Sequence, residues 1–299
     1  MMEFRILLKR NIKLFFKDKG MFISALITPM ILLVLYATFL GNVYKDSFVQ
    51  NLPEGIVVSE SLIDGLVAGQ LMSSILAVSC VTVAFCSNLL MVQDKANGTI
   101  KDFTISPIKP SIMSFAYYFA SLIVTLIICY SATILCLGYV AISGWYMSLG
   151  EVLLLILDVF ILVMFGTALS SVIHFFLSTQ GQMSAVGTII SSVYGFLCGA
   201  YMPISQFPTG LQKVLSLLPG TYGTSLIRNH SMQGVFDELI NQNFPEEVIE
   251  SMKDVVDCNI DLFGKNVSIP VMYTILVSTI VVLIVVYVLL NKFRKRRSK

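Results

Sequence analysis

The chain alternates long apolar runs with shorter polar segments. Six of the runs are close to the roughly 20 residues that a helix needs to cross a bilayer. These runs lie at residues 21–40, 66–92, 112–142, 152–176, 183–202 and 268–290. The pattern therefore predicts an all-α integral membrane protein with six transmembrane helices, folded as a single transmembrane domain over residues 1–299.

Residues 1–19 mix apolar and basic side chains at helical spacing. Leu8, Ile12 and Phe15 fall on one side of a helix, and most of the lysines and arginines fall on the other. This arrangement is typical of a helix that lies in the membrane interface with its cations on anionic lipid headgroups. We expect such an interfacial helix before the first span.

The polar segment between the second and third apolar runs, residues 93–111, cannot be buried in lipid. Gly98 offers a break in the backbone and Thr99 is a suitable helix cap, while Pro107 and Pro110 end helices. These residues predict a short charged helix that begins near Thr99, lies at the membrane surface and is accessible to a soluble partner. An ordinary solvated turn is equally compatible with the pattern.

The segment between the fifth and sixth apolar runs, residues 203–267, is irregular. Residues 203–228 contain short apolar pieces interrupted by prolines and glycines, and none of the pieces is long enough to cross a bilayer. Two short helices that enter the membrane and return, a broken re-entrant hairpin, fit this pattern. The acid-rich residues 230–265 predict a polar loop after the hairpin, with a helix over 235–252.

The distribution of basic residues predicts the orientation in the membrane. Six spans place both termini on one side, and positively charged residues are enriched in cytoplasmic segments. With cytoplasmic termini, fifteen of the 20 lysines and arginines lie inside and five lie outside. Residues 93–111 are therefore expected in the cytoplasm, and the hairpin and loop of residues 203–267 are expected to be extracellular.

Composition supports a membrane protein without an enzyme site. Hydrophobic residues make up 56% of the chain and charged residues 13%, a balance that excludes an ordinary soluble protein. The sequence contains no GxxxxGK[ST] phosphate-binding loop, its two histidines are far apart in sequence, and five of the six cysteines fall in apolar runs. We expect no catalytic residue, no metal site and no disulfide framework.

Asp158 is an acid inside the fourth apolar run. An unpaired charge at this depth costs several kcal/mol. Three roles are open: binding a substrate cation, carrying a proton, or pairing with a polar group of a neighbouring span. A packing role without function is equally compatible with the pattern.

The fifth apolar run contains small residues at helical spacing. Gly195 and Gly199 form a GxxxG step, with Tyr194 beside them, and this step allows close helix contact within the chain or with another copy. Together with Asp158, these residues are candidates for the substrate path or for packing.

Two motifs in the polar segments are specific. The first is DKANGT at residues 94–99, followed by SPI at 106–108; the second is LLPGTY at 217–222, followed by Leu226 and Arg228. These motifs resemble the acidic-basic-acidic-x-Gly-Thr segment with its Pro-Ile step, and the Leu-Pro-x-Thr-Tyr region, of the ABC-2 type permeases. This family supplies the membrane subunits of type V ABC exporters, and the resemblance covers essentially the whole chain.

The resemblance implies that residues 93–111 form a coupling helix that docks into a cleft of a separate ATP-binding subunit, with a second contact at 177–182. Ala96 stands where the family usually has a second acid. The residues implied in ATPase coupling are Asp94, Lys95, Gly98, Thr99, Ile100, Asp102 and Pro107. The residues implied in the extracellular gate are Pro203, Pro208, Leu218, Pro219, Thr221 and Tyr222.

The same resemblance implies two permease chains, identical or different, paired with two ATP-binding subunits in the cell membrane, here of a bacterium. The second and fifth spans of each chain line the pathway. The chain itself needs no cofactor, because ATP and Mg²⁺ bind to the partner subunit. No nucleic acid partner is expected.

We therefore expect the permease subunit of an exporter that moves an amphipathic drug, peptide or lipid-like molecule outward. One alternative is export of a lipid-linked glycan, which the aromatic residues Tyr117, Tyr118, Tyr130 and Tyr194 favour. Another is a membrane sensor or immunity protein that transports nothing. A membrane enzyme is disfavoured because catalytic groups are not clustered.

Overall fold

The computed structural model describes residues 2–35, 38–39, 41–50, 58–105 and 108–297 of the chain. This part is almost entirely helical. Its helices are α1 (Met2–Lys17), α2 (Lys19–Leu35), α3 (Gly41–Gln50), α4 (Glu60–Ala96), α5 (Thr99–Ile105), α6 (Pro110–Ser143), α7 (Leu149–Phe176), α8 (Gln180–Leu197), α9 (Thr209–Leu215), α10 (Pro219–Asn241), α11 (Glu246–Val255) and α12 (Ile269–Arg297). A two-stranded antiparallel hairpin, β1 (Asp261–Leu262) and β2 (Lys265–Asn266), precedes α12.

Four helices of the described residues, α4, α6, α7 and α12, are long and apolar enough to cross a membrane. Helices α1 and α2 meet at a bend of 73° and pass the same test when they are taken as one span. Helix α8, the predicted fifth span, is 18 residues long and is not among them. The protein is a multi-pass helical membrane protein, and the count of six spans stays a prediction.

The predicted span boundaries differ from the helices at several ends. The first predicted span, 21–40, ends partly outside the described residues, because 36–37 and 40 are not described. The second, 66–92, is contained in the 37-residue helix α4. The third, fourth and sixth agree with α6, α7 and α12 at their apolar centres.

Helix α4 lies at the centre of the bundle, packed against α2, α6, α7, α8 and α10. It carries many hydroxyl side chains into this apolar setting. Those of Ser79, Thr82 and Ser87 donate to carbonyl oxygens one turn earlier in the same helix, at 2.6, 3.0 and 2.7 Å. Because these polar groups are satisfied within the helix, α4 can be buried on nearly all sides.

Helix α1 packs along α6, and its buried face is slightly rotated from the predicted one. Leu7, Asn11 and Phe15 are buried, whereas Leu8 and Ile12 are half-buried. The rotation has a physical reason. The helix covers the side of α6 in addition to lying across the bundle end, so it needs one face against protein.

The region between α8 and α12 is more ordered than the sequence predicts. The short helix α9 is followed by α10, a continuous helix of 23 residues, where two short helices and a polar loop were expected. The helix predicted over 235–252 is two helices, because the chain turns between Asn241 and Glu246 with Asn243 at a positive φ of 61°. The re-entrant path of the hairpin stays a prediction.

Candidate functional site

The last turn of α4 carries a buried carboxylate, Asp94, that three helices share. Arg10 of α1 donates to both of its oxygens, at 2.7 and 3.1 Å, and the hydroxyl of Tyr117 of α6 donates at 2.5 Å. A two-pronged guanidinium–carboxylate contact is among the stronger hydrogen-bonded pairs in proteins. Arg10 therefore faces the protein and not the lipid headgroups, and its contact with Asp94 fixes α1 to the end of α4.

Lys95 connects α4 to the end of α7. Its ammonium group donates to the carbonyl oxygens of His174, Phe175 and Leu177 at 2.9, 2.8 and 3.0 Å. Carbonyls in the last turn of a helix lack partners in the helix, and a cation there also interacts favourably with the helix dipole. One lysine thus joins the two segments, 93–111 and 177–182, that the sequence resemblance assigns to contact with an ATPase.

Helix α5 lies just beyond these anchors. Gly98 has a positive φ of 80°, a conformation that glycine adopts without strain, and α5 begins at the next residue, Thr99. The predicted short helix beginning near Thr99 is confirmed. Asp102 is exposed and Ile105 is 86% exposed, so the end of α5 presents an apolar side chain to solvent.

The other coupling residues differ in exposure. Thr99 and Ile100 are half-buried. Phe103 of α5 lies under the guanidinium of Arg10, whose central carbon is 5.2 Å from the centroid of the phenylalanine ring. The α1 arginine therefore contacts both the buried end of α4 and α5 itself. Pro107 lies outside the described residues.

The turn between α9 and α10 is held by hydroxyl groups. Thr221 donates to the carbonyl oxygen of Leu215 at 2.8 Å, and Tyr222 donates to that of Ser216 at 2.6 Å. These carbonyls lie at the end of α9, and that of Leu215 also accepts from the backbone N–H of Leu218 at 3.0 Å. Pro219 occupies the first turn of α10 after the cap residue Leu218, where its missing N–H costs nothing.

The remaining gate candidates flank this turn. Pro203 is buried just before the short 3₁₀ turn Ile204–Gln206, and Pro208 is exposed at the start of α9. Tyr194 of α8 is buried and packs against Gly220, where a Cβ atom would lie 2.6 Å from the tyrosine hydroxyl. The predicted gate residues therefore belong to one packed hairpin.

Asp158 has partners on two neighbouring elements. Its carboxylate is 2.6 Å from Nδ1 of His230 of α10 and accepts a hydrogen bond from the hydroxyl of Tyr273 of α12. Sequence reasoning missed both partners, because His230 was placed in a polar loop. Of the three roles open for Asp158, the structure supplies the pairing that the third requires.

Another buried charged side chain lies on α10. Arg228 of α10 is 1% exposed and donates to the carbonyl oxygens of Val256 and Gly199 at 2.6 and 3.0 Å. It also lies 3.4 Å from Asp257, whose carboxylate accepts from the backbone N–H of Ile204 at 2.5 Å. Burial raises the pKa of Asp257, and the nearby guanidinium of Arg228 opposes that rise.

The GxxxG prediction is wrong as a helix face. Helix α8 ends at Leu197, so Gly199 lies beyond it, with a positive φ of 73°. Gly195 is packed so closely against the ring of Tyr201 that a Cβ atom would overlap the ring. The two glycines let the chain fold back at the end of α8 and do not lie together on one helix face.

A cavity of about 510 Å³ lies between α2, α4 and α8. Its described lining mixes hydroxyl, amide, thiol and apolar side chains and includes no charged residue. The lining residues are Ser24, Cys86, Leu89, Gln180, Met183, Ser184, Gly187, Thr188, Ser191 and Ser192.

Comparison with known proteins is informative at the family level. The model of a family described as ABC-2 type transporter matches residues 2–230. The match runs from α1 into α10 and so includes α5, the Asp94 cluster, the cavity beside α8 and the turn between α9 and α10. A search of curated proteins finds no match.

Proposed function

The chain belongs to the ABC-2 type transporter family, and we propose that it is the permease subunit of an exporter driven by a separate ATP-binding protein. The family consists of membrane permease components, not ATPases. Two copies of the permease, or this chain with a related one, pair with two ATP-binding subunits. Both termini lie in the cytoplasm, and the hairpin of α9 and α10 faces outward.

The main support for this proposal is the way in which α5 is exposed and held by neighbouring helices. Asp102 and Ile105 of this helix are exposed. Just before the helix begins, the hydrogen bonds of Arg10, Asp94 and Lys95 hold α1, α4 and α7 together. ATP can drive transport only if its binding distinguishes two conformations of the permease. An exposed helix that is fixed to the ends of several spans can transmit a movement of the ATPase to those spans.

The proposed cargo is an amphipathic drug, peptide or lipid-like molecule. The cavity beside α8 supports this class, since its described lining offers hydroxyl and amide groups among apolar ones without a fixed charge. An ion path would call for charged side chains or rings of carbonyl groups, which the described lining does not contain. The turn held by Thr221 and Tyr222 would open and close the outer end of the path.

The ATPase contact is tested with a pair of matched substitutions. Ile105 at the end of α5 is 86% exposed, and Ile142 at the other end of α6 is 88% exposed. Each is changed to Asp, and the variants are purified with candidate ABC ATP-binding proteins from the same organism. Association and ATP hydrolysis are measured in nanodiscs.

We expect Ile105→Asp to weaken association by roughly 30-fold or more, as the loss of a central apolar contact does at protein interfaces. Ile142→Asp should leave both readings unchanged. Equal ATPase association in the wild type and in Ile105→Asp would contradict the proposed role of α5. Failure of any ATP-binding protein to associate would contradict the transporter itself and favour a sensor.

A further inference from the structure

A groove of about 340 Å³ lies between the start of α6 and the end of α12. Its walls are formed by Phe115 of α6 and Val288 of α12, both of which are partly exposed. Lys109 and Lys292, one from each side, also line it, and both are exposed. The groove therefore combines an apolar interior with two cations.

The floor of the groove offers few free polar groups. The hydroxyl of Tyr287 donates to the carbonyl oxygen of Ser114 at 3.3 Å, and the hydroxyl of Ser114 donates to Asn291 at 2.7 Å. The amide nitrogen of Asn291 donates in turn to the carbonyl oxygen of Tyr287 at 2.8 Å. Since these groups bond to one another, an occupant that reaches the floor must be apolar.

The charged side chains that line the groove are all positive. None of the described lining residues is acidic. Lysine is a compact cation that binds phosphate well, and lysines near the ends of spans extend toward the headgroups while their stems cover apolar surface. An occupant must therefore join an anionic group to an apolar chain.

We propose that this groove binds one anionic phospholipid. Its phosphate lies between Lys109 and Lys292, and an acyl chain passes along Phe115 and Val288. The exposed apolar residues Val285 and Leu289 of α12 continue from the groove along the same helix, so the chain can pass from the groove into the bilayer. A free phosphate would satisfy the lysines and leave the apolar interior without a partner.

Native mass spectrometry of the full chain tests the proposal. The protein in detergent is titrated with phosphatidylglycerol and with phosphatidylcholine of the same acyl chains. The double variant Lys109→Ala with Lys292→Ala is compared with Lys9→Ala with Lys13→Ala, which removes the same charge from exposed positions of α1. Size-exclusion profiles and circular dichroism check that both variants fold.

We expect the wild type to bind phosphatidylglycerol more tightly than phosphatidylcholine. In the groove variant, the ratio of the two affinities should fall by about fivefold for each lysine that is removed. The α1 variant should keep the preference. If the α1 variant loses it and the groove variant keeps it, the lipid binds elsewhere and the proposal is overturned.

Two further measurements separate a lipid from a free anion. Val288→Trp fills the apolar part of the groove and should weaken phosphatidylglycerol binding with both lysines present. Glycerol phosphate should not displace the lipid at equal concentration. Displacement by glycerol phosphate, together with unchanged binding in Val288→Trp, would identify a small-phosphate site and overturn the lipid proposal.

Discussion

Arg10 and Asp94 form an ion pair at the last turn of α4, and a double-mutant cycle tests it. Arg10→Ala leaves the Asp94 carboxylate buried with Tyr117 as its remaining described donor. The free energy of unfolding should fall by about 3 kcal/mol, since an uncompensated buried charge costs that much. Asp94→Asn should cost less, because a neutral amide needs no counter-ion.

The double variant should be no less stable than Arg10→Ala alone, which is the sign of coupling between the two residues. Denaturant unfolding in detergent measures all three variants. Lys13→Ala, on the exposed side of α1, is the control. Effects that simply add would show that the pair contributes no coupling energy.

Arg228 and Asp257 form another buried ion pair. Arg228→Ala removes the donors to two carbonyl oxygens and leaves Asp257 buried, so the free energy of unfolding should fall by roughly 3–5 kcal/mol. Asp257→Asn keeps an oxygen that can accept from the N–H of Ile204 but leaves the guanidinium of Arg228 buried without its counter-ion, so a loss of the same order is expected. Thermal unfolding measures both, and losses of about 1 kcal/mol or less, which are typical of exposed ion pairs, would argue against a buried charge effect.

Cys258 lies next to this pair and is 2% exposed. Burial raises the pKa of its thiol to about 12. At pH 8 only about 1 in 10⁴ of such thiols is the reactive thiolate, so maleimide should label Cys258 in the unfolded chain but hardly at all in the folded one. Labelled peptides are identified by mass spectrometry. Ready labelling of Cys258 in the folded protein would mean that the loop opens.

At the scale of elements, Lys95 caps the end of α7 from another helix. Lys95→Met removes the donor to three carbonyl oxygens, and the last turn of α7 should then fray, with a loss of about 1 kcal/mol. Amide hydrogen exchange should become faster at residues 174–178. Lys109→Met, at the start of α6, is the control and should leave that turn unchanged.

Several helices can be predicted from local patterns in the sequence. Helices α6, α7 and α12 follow from long apolar runs, because the length needed to cross a bilayer is a strong local signal. The start of α5 follows from Gly98 and Thr99 alone. These features depend on residues close together in the chain.

Features that depend on distant partners were not predicted. Helix α10 contains Arg228, His230 and Ser231, which the pattern assigned near or within a polar loop. Their partners lie on α4, α7, the turn after α8 and the loop after α11, and no local pattern indicates such pairs. The burial of Asp94 was missed for the same reason, since Arg10 is 84 residues away.

At the scale of the whole molecule, the proposed second permease chain can be located by cross-linking from the open side of α8. Gly187 of α8 and Gly138 of α6 both face open space, with no atom within 4 Å of the point where a Cβ atom would lie, so a cysteine fits at either. If α8 lines a shared pathway, Gly187→Cys should be joined across two copies by a short bismaleimide. Gly138→Cys and the wild type should not.

The cross-linked product is read by gel electrophoresis of protein in native membranes. Dimers formed by Gly187→Cys alone would place α8 at the interface between the chains. Equal cross-linking of the two variants would mean that copies meet by random collision, and the arrangement proposed for the pathway would be wrong.

The length of α4 has a mechanical consequence. A continuous helix of 37 residues is about 55 Å long, well beyond the roughly 30 Å of the hydrocarbon core. It carries Asp94 and Lys95 at one end and contacts α10 nearer the other. A stiff rod of this length, tilted by about 10°, moves one end by roughly 10 Å relative to the other. We expect α4 to move as a rigid body. A small rotation of the end that carries Asp94 and Lys95 would then displace the opposite end far enough to open the hairpin of α9 and α10.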